Sequence, residues 1–264
     1  MNTSVTHPQT VLIPGGPFTM GDDNQRPDER PAHRVTVSAF RMAVLPVTNE
    51  DYARFFDACL ADRQATGHEA PRFWTDPAFN HPRQPVVGVS WFDAVAYCDW
   101  LSDVAGVPDG SVGRFRLPTE AEWEKAALGG VDGAKYPWGD EPFDGPFGSR
   151  SDGRFKQGAT WQVGAAPPNG YGLIDIGFNV HEWCSDWYDP GYYAYLAGRQ
   201  AVSPGRDPQG PPTGERRASR GGAWRHAVKV SRCSARSSIP PEYLYNDYGF
   251  RVVQEVDPGV TDAP

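Results

Sequence analysis

Between Gly130 and Pro212 the chain carries Trp138, Trp161, Trp183 and Trp187 but no sustained helical or strand period. Four large rings need burial, and disordered segments are poor in aromatics. The stretch is therefore expected to be ordered loop packed on a core. With 29 Gly and 26 Pro in 264 residues, turns must be frequent and the regular elements between them short. A 39% hydrophobic content with 9 Trp, 11 Tyr and 13 Phe supplies a core of ordinary size. One α+β domain over residues 11–254 is expected, with flexible ends at residues 1–10 and 255–264.

Outside that stretch three helices are legible. Thr48 precedes Asp51 by three residues, as a capping box requires, and Tyr52, Phe55, Phe56, Cys59 and Leu60 follow at helical spacing. Ser90 with Asp93 and Thr119 with Glu122 repeat the signature. Gly106 and Gly129-Gly130 mark the ends of these two helices. Val11–Ile13, Phe18–Gly21 and the alternating Arg34–Phe40 suggest strands near a hairpin, and Ser219–Trp224 and Tyr248–Val253 suggest two late strands.

A net charge of -8 and a pI near 5.2 accompany no basic run beyond Arg216, Arg217 and Arg220. No nucleic-acid partner is expected. No segment approaches the roughly 20 apolar residues of a membrane span, and Met1–Thr10 lacks the apolar centre of a signal peptide. A cytoplasmic protein without membrane contact is expected. Cys59, Cys98, Cys184 and Cys233 form no C-x-x-C pair. Cys59 and Cys98 fall on apolar helical faces, whereas Cys233 is flanked by Arg232 and Arg236, cations that would activate an accessible thiol.

The motifs form an ordered series. Ile13-Pro14-Gly15-Gly16, Phe18-Thr19-Met20-Gly21, Glu29–Val35, Val47-Thr48-Asn49, Pro85-Val86-Val87 and Ser90-Trp91 come first. Arg116-Leu117-Pro118-Thr119-Glu120-Ala121-Glu122-Trp123-Glu124 is the most specific. Tyr136–Gly139, Asn169–Leu173, Asn179–Trp183, Arg220-Gly221-Gly222-Ala223-Trp224 and Gly249-Phe250-Arg251 complete the set. From Val11 to Val253 the chain resembles the formylglycine-generating enzyme (sulfatase-modifying factor) superfamily. The resemblance implies a C-type-lectin-like α+β fold with little regular secondary structure.

It also implies a calcium site over Asp175–Glu182. Asp175 and Glu182 would give side-chain oxygens and Phe178 and Val180 carbonyls, oxygen being the donor calcium prefers. Phe178 stands where the family usually has Gly, and His181 where it usually has Trp. The true enzyme oxidises a substrate cysteine to an aldehyde with two cysteines that hold copper(I), just after Gly-Gly-x-Trp. Here the matching segment is Trp224-Arg225-His226-Ala227-Val228-Lys229-Val230-Ser231-Arg232-Cys233, without that pair. One thiol cannot reproduce a two-thiolate copper site.

Sulfatase activation is therefore not expected. The resemblance points to a metal-dependent oxidoreductase acting on a peptide or small molecule. His226, Cys233, Arg232 and Arg236 are its candidate catalytic groups, and Trp224, Arg225 and Tyr245 its candidate substrate contacts. Calcium is the expected structural cofactor; iron or copper would need ligands that the scattered histidines do not show in sequence. If His181, His226 or Cys233 converge on one cleft, the oxidoreductase reading gains. The alternative is a non-catalytic, calcium-stabilised ligand- or protein-binding module. Arg232 and Arg236 also suit simple pairing with buried acids.

Overall fold

The structure, a computed structural model, describes residues 7–61, 69–107, 113–140, 148, 150, 156, 158–199 and 205–256. In chain order its strands are β1 (Thr10–Ile13), β2 (Gly16–Met20), β3 (His33–Val37), β4 (Phe40–Ala43), β5 (Phe115–Arg116), β6 (His181–Trp187), β7 (Gly205–Arg206), β8 (Arg217–Arg220), β9 (Arg236–Ile239), β10 (Tyr248–Gly249) and β11 (Val253–Glu255). Helices α1 (Asn49–Ala61), α2 (Trp91–Val104) and α3 (Glu120–Ala127) precede β6, and α4 (Tyr192–Arg199) follows it. Among the described residues these strands form three sheets, ordered β1-β4-β11-β5, β10-β6-β8-β9 and β2-β3-β7. No helix among them is long and apolar enough to cross a membrane.

The capping signatures act as expected. Ser90 with Asp93 and Thr119 with Glu122 form reciprocal capping boxes at α2 and α3, and Thr48 exchanges hydrogen bonds with Asp51 at α1. The expected hairpin is the β2–β3 pair, which registers Phe18 with Val35, while β1 pairs with β4. Three expectations need correction. Tyr248–Val253 is not one strand: β10 and β11 belong to different sheets, because the chain turns at Phe250–Val252 to bury Arg251. The late strand β8 ends at Arg220, and Gly221 takes a left-handed φ of 77°. The aperiodic stretch contains β6 and α4, which are masked in sequence because β6 is buried on both faces and α4 is only one helical burst of eight residues. The N-terminal expectation also shifts by one residue, since Thr10 already pairs with Ala43; residues 257–264 of the expected tail lie outside the described residues.

Two apolar clusters make the core. One joins β2, β3 and β4 to Trp123 of α3; the other joins Tyr52, Phe55, Tyr97 and Leu101 of α1 and α2 to Trp183 and Phe250. Trp161 and Trp138 pack with Phe178, giving the aromatic loop its expected burial.

Buried ion pairs tie these layers together. Arg236 holds Glu120 through two hydrogen bonds of 2.7 and 2.8 Å, and Arg220 pairs with Glu124. Burial opposes ionisation of Glu120, but Arg236 and then Arg220 outweigh it and keep the carboxyl below its usual range. Arg251, fully buried, spans Glu182 and the carbonyls of Ala43, Val44 and Ile174. Arg251→Met strands the Glu182 charge in the interior, and removing one partner of such a pair costs about 3–5 kcal/mol. Chemical denaturation should show a loss of that size; a loss under about 1 kcal/mol would contradict the bridging role.

Asp186 carries the opposite problem. It is buried, and burial, then the neighbouring Glu120 charge, push its carboxyl up to about 7. The folded state therefore favours the protonated form. This contribution is full below the ordinary value of 3.8 and disappears as pH rises through about 7. The stability of Asp186→Asn relative to wild type should thus increase between pH 4 and 8. A difference that stays constant across that range would show that Asp186 does not titrate there.

Candidate functional site

The parallel pairing of β10 with β6 places Tyr248 beside His181 and Gly249 beside Glu182. The residue before β10, Asp247, accepts the His181 amide through its carbonyl at 2.8 Å. A second segment is fastened to the same edge. Gly222 N–H donates to Gly177 O at 2.7 Å, and Trp224 N–H to Asn179 O at 3.0 Å. The glycine doublet is a close-approach site: a Cβ at Gly222 would lie 2.3 Å from Ser231 Oγ. This turn delivers His226 against His181.

The result is a cluster of two imidazoles and a carboxylate. One ligand atom from each of His181, His226 and Asp247 lies within 4.8 Å of the others. His181 Nε2 and His226 Nδ1 are 2.9 Å apart, and His226 Nε2 is 3.9 Å from Asp247 Oδ2. His181 and Asp247 are buried, whereas His226 is partly exposed and forms the mouth. Burial, then the facing His226 ring, push His181 down to about 3, so its imidazole is neutral at ordinary pH. Burial raises the Asp247 carboxyl, while Arg225 and then His226 pull it back. Asp247 Oδ1 and His181 Nδ1 are both buried without a hydrogen-bond partner. Two imidazoles, the buried one neutral, and a carboxylate at this spacing are the donor types that transition metals take. The cavity beside α1, lined by Arg54, Arg83 and Tyr97, contains none of these groups.

The other expected site residues divide clearly. Arg225 donates to Asp247 Oδ2 at 2.7 Å and lies over Tyr245; Trp224 donates to Asn246 O at 3.0 Å. All three expected substrate contacts therefore border the cluster. Arg232 and Arg236 do not. Arg232 grips Glu29 at 2.5 and 2.8 Å, and Arg236 grips Glu120, so both follow the ion-pair alternative rather than a catalytic role. Cys233 is corrected too: it is 1% exposed, and burial, with Glu124, pushes its thiol far up despite the nearby Arg220. Burial defeats the cationic neighbours that sequence proximity suggested.

Of the expected calcium ligands, Glu182 is already engaged. Glu182 Oε2 accepts Trp123 Nε1 at 2.7 Å, and both its oxygens face Arg251 at 3.0–3.2 Å. A guanidinium already supplies the positive charge there, so Glu182 does not fit a calcium ion. Asp175 is buried with Oδ2 on the Gly164 amide and Oδ1 without a hydrogen bond, which fits a cation better. The side chains of Phe178 and Val180 pack into apolar clusters on either side of Asn179.

Asp247 carried no signal in sequence. It stands 21 residues after His226 and 66 after His181, and only the β10–β6 pairing brings it to them.

Such a site, held by turns on an α+β scaffold with three small sheets, defines a binding or catalytic domain built largely from loops. The chain belongs to the sulfatase-modifying factor enzyme 1-like family, whose domain matches residues 1–256. The formylglycine-generating enzyme of Streptomyces coelicolor is 35% identical over 94% of this chain and 89% of that protein. The Chlamydia pneumoniae protein named serine/threonine-protein kinase pkn1 is also 35% identical over 94% of this chain, but over 38% of its own length. The chain thus spans well under half of the chlamydial relatives it matches. PvdO from Pseudomonas aeruginosa, a solved structure, aligns with a TM-score of 0.73 at 28% identity over 94% of this chain and 95% of its own. The expected formylglycine-generating-enzyme-type fold is therefore present.

The buried thiols predict a simple chemical result. With iodoacetamide under native conditions, Cys98, Cys184 and Cys233 should stay unmodified while partly exposed Cys59 reacts. Fast native alkylation of Cys233 would return it to the list of reactive groups.

Proposed function

We propose that this protein is a metal-dependent oxidoreductase of the sulfatase-modifying factor family, acting on a peptide or small molecule at the His181–His226–Asp247 cluster. The convergence of those three residues is the observation that carries the reading. Imidazole and carboxylate donors suit iron(II) better than copper(I), which prefers thiolates. Three protein ligands leave positions for substrate or oxidant, and an iron ion held there would supply the redox chemistry. The chain's own part is defined by position. His181, neutral and buried, is a fixed donor; His226, at the mouth, is the donor that meets solvent. Asp247 offers its negative charge, with Arg225 holding one oxygen as an outer partner orients a ligating carboxylate.

A second reading, a binding module without redox chemistry, is supported by the exposed rings of Tyr243 and Tyr245 beside the cluster. The calcium role, in either reading, falls to Asp175 and backbone carbonyls.

Anaerobic titration of chelator-treated protein with iron(II), and with cobalt(II) as a spectroscopic probe, separates the two. One ion per chain with imidazole-type cobalt bands is expected. His226→Ala and Asp247→Asn should each weaken binding by at least 10-fold, the scale seen when metal-site residues or their supports are removed. Unchanged binding in both variants would sink the assignment.

A further inference from the structure

Arg225 differs from the arginines buried in the core. Arg220, Arg232, Arg236 and Arg251 are buried in carboxylate pairs. The Arg225 side chain is 42% exposed, although its partner Asp247 is fully buried. Only Nε is engaged, at 2.7 Å from Asp247 Oδ2; among the described residues the two terminal nitrogens have no protein acceptor. That bond anchors the inner edge of the guanidinium and leaves its terminal nitrogens facing outward. The free pair of terminal N–H groups is then a preset fork, the geometry that takes a carboxylate through two parallel hydrogen bonds.

The surroundings add an apolar wall. The guanidinium lies 5.9 Å from the centre of the Tyr245 ring, and Tyr243 meets Tyr245 edge-on at 5.7 Å. Both rings are exposed, by 37% and 43%. Arg72 reaches the same segment, with Nη1 at 3.5 Å from Leu244 O. Two exposed arginines thus adjoin two open rings, with exposed Glu242 next to Tyr243 and Asp247 behind Arg225 as the acids of the segment. An anionic head with a flat apolar body complements the arginines and the rings.

We infer that Arg225 is the substrate clamp of this site: it receives a carboxylate, while Tyr245 and Tyr243 take the planar or apolar group attached to it. The substrate class is then a carboxylic acid, either a free small acid or the C-terminus of a peptide. The inference rests on the proposed function only for its place beside the reacting centre; the clamp itself exists without a metal.

The test is calorimetry on metal-free protein with benzoate and the peptide Gly-Gly-Phe, against benzamide and Gly-Gly-Phe-amide. Both acids should bind at least tenfold more tightly than their amides. Arg225→Gln should remove that preference, and Arg225→Lys should restore only part of it, because an ammonium lacks the fork. Tyr245→Ala, which leaves the Arg225–Asp247 bond in place, should weaken benzoate several-fold and guards against a folding defect in the arginine variants. Benzoate above the peptide supports a small acid, and the reverse order a peptide C-terminus. Amides that bind as well as acids, or Arg225→Gln that binds acids like wild type, overturn the clamp. If cobalt(II) fails to bind but the acids still need Arg225, the metal reading falls and the clamp stands.

Discussion

Glu120 and Glu124, one turn apart on α3, put two carboxylates into the interior, and the rest of the molecule is arranged to meet them. Arg236 of β9 takes the first with paired hydrogen bonds, and Arg220 at the end of β8 takes the second. Alone, either charge would be too costly to bury; paired, each carboxylate fixes the position of a strand relative to a helix. Glu124 also accepts a hydrogen bond from the Gly21 amide and Arg236 donates one to the Asp28 carbonyl, so the N-terminal turn is drawn into the same network. Such pairs add little net stability over an apolar core, but they tolerate few alternative packings.

The candidate site inherits its geometry from that network. Arg220 is the last residue before the Gly221-Gly222 turn, and that turn aims Trp224, Arg225 and His226 at the edge of β6. Arg251, four residues after Asp247, is locked onto Glu182, one residue after His181. Each metal-ligand candidate is thus within six residues of a buried arginine or of the carboxylate it pairs with. Rigid supports of this kind let functional side chains sit on turns without losing their positions.

Compared with the chemistry the family resemblance suggests, the proposed site offers nitrogen and oxygen donors in place of sulfur. The thiolates that would hold copper(I) are absent, and Cys233 is sealed in the core. Two imidazoles and a carboxylate occupy the neighbourhood instead, a harder donor set with a different metal preference. One scaffold can host both, since fold constrains where a site is placed and not which chemistry it performs.

Local features were readable from the chain alone. Capping boxes at Ser90 and Thr119 depend on side chains three residues apart, so their signal is contained in short spacing. The family motifs, the missing cysteine pair and the importance of the Trp224–His226 segment were legible for the same reason. What sequence could not show was every outcome decided by pairing across long separations. Cys233 looked cationic in sequence but is governed by burial, and Arg232 and Arg236 looked functional until Glu29 and Glu120 came to meet them. Glu182 left the calcium set because Arg251 arrives from the far end of the chain. Asp247 became a site residue only through a two-residue parallel pairing, too short to leave a period in sequence. Periodicity and caps record neighbours along the chain, whereas charge partners and ligand sets are chosen by proximity in space, which only the tertiary fold supplies.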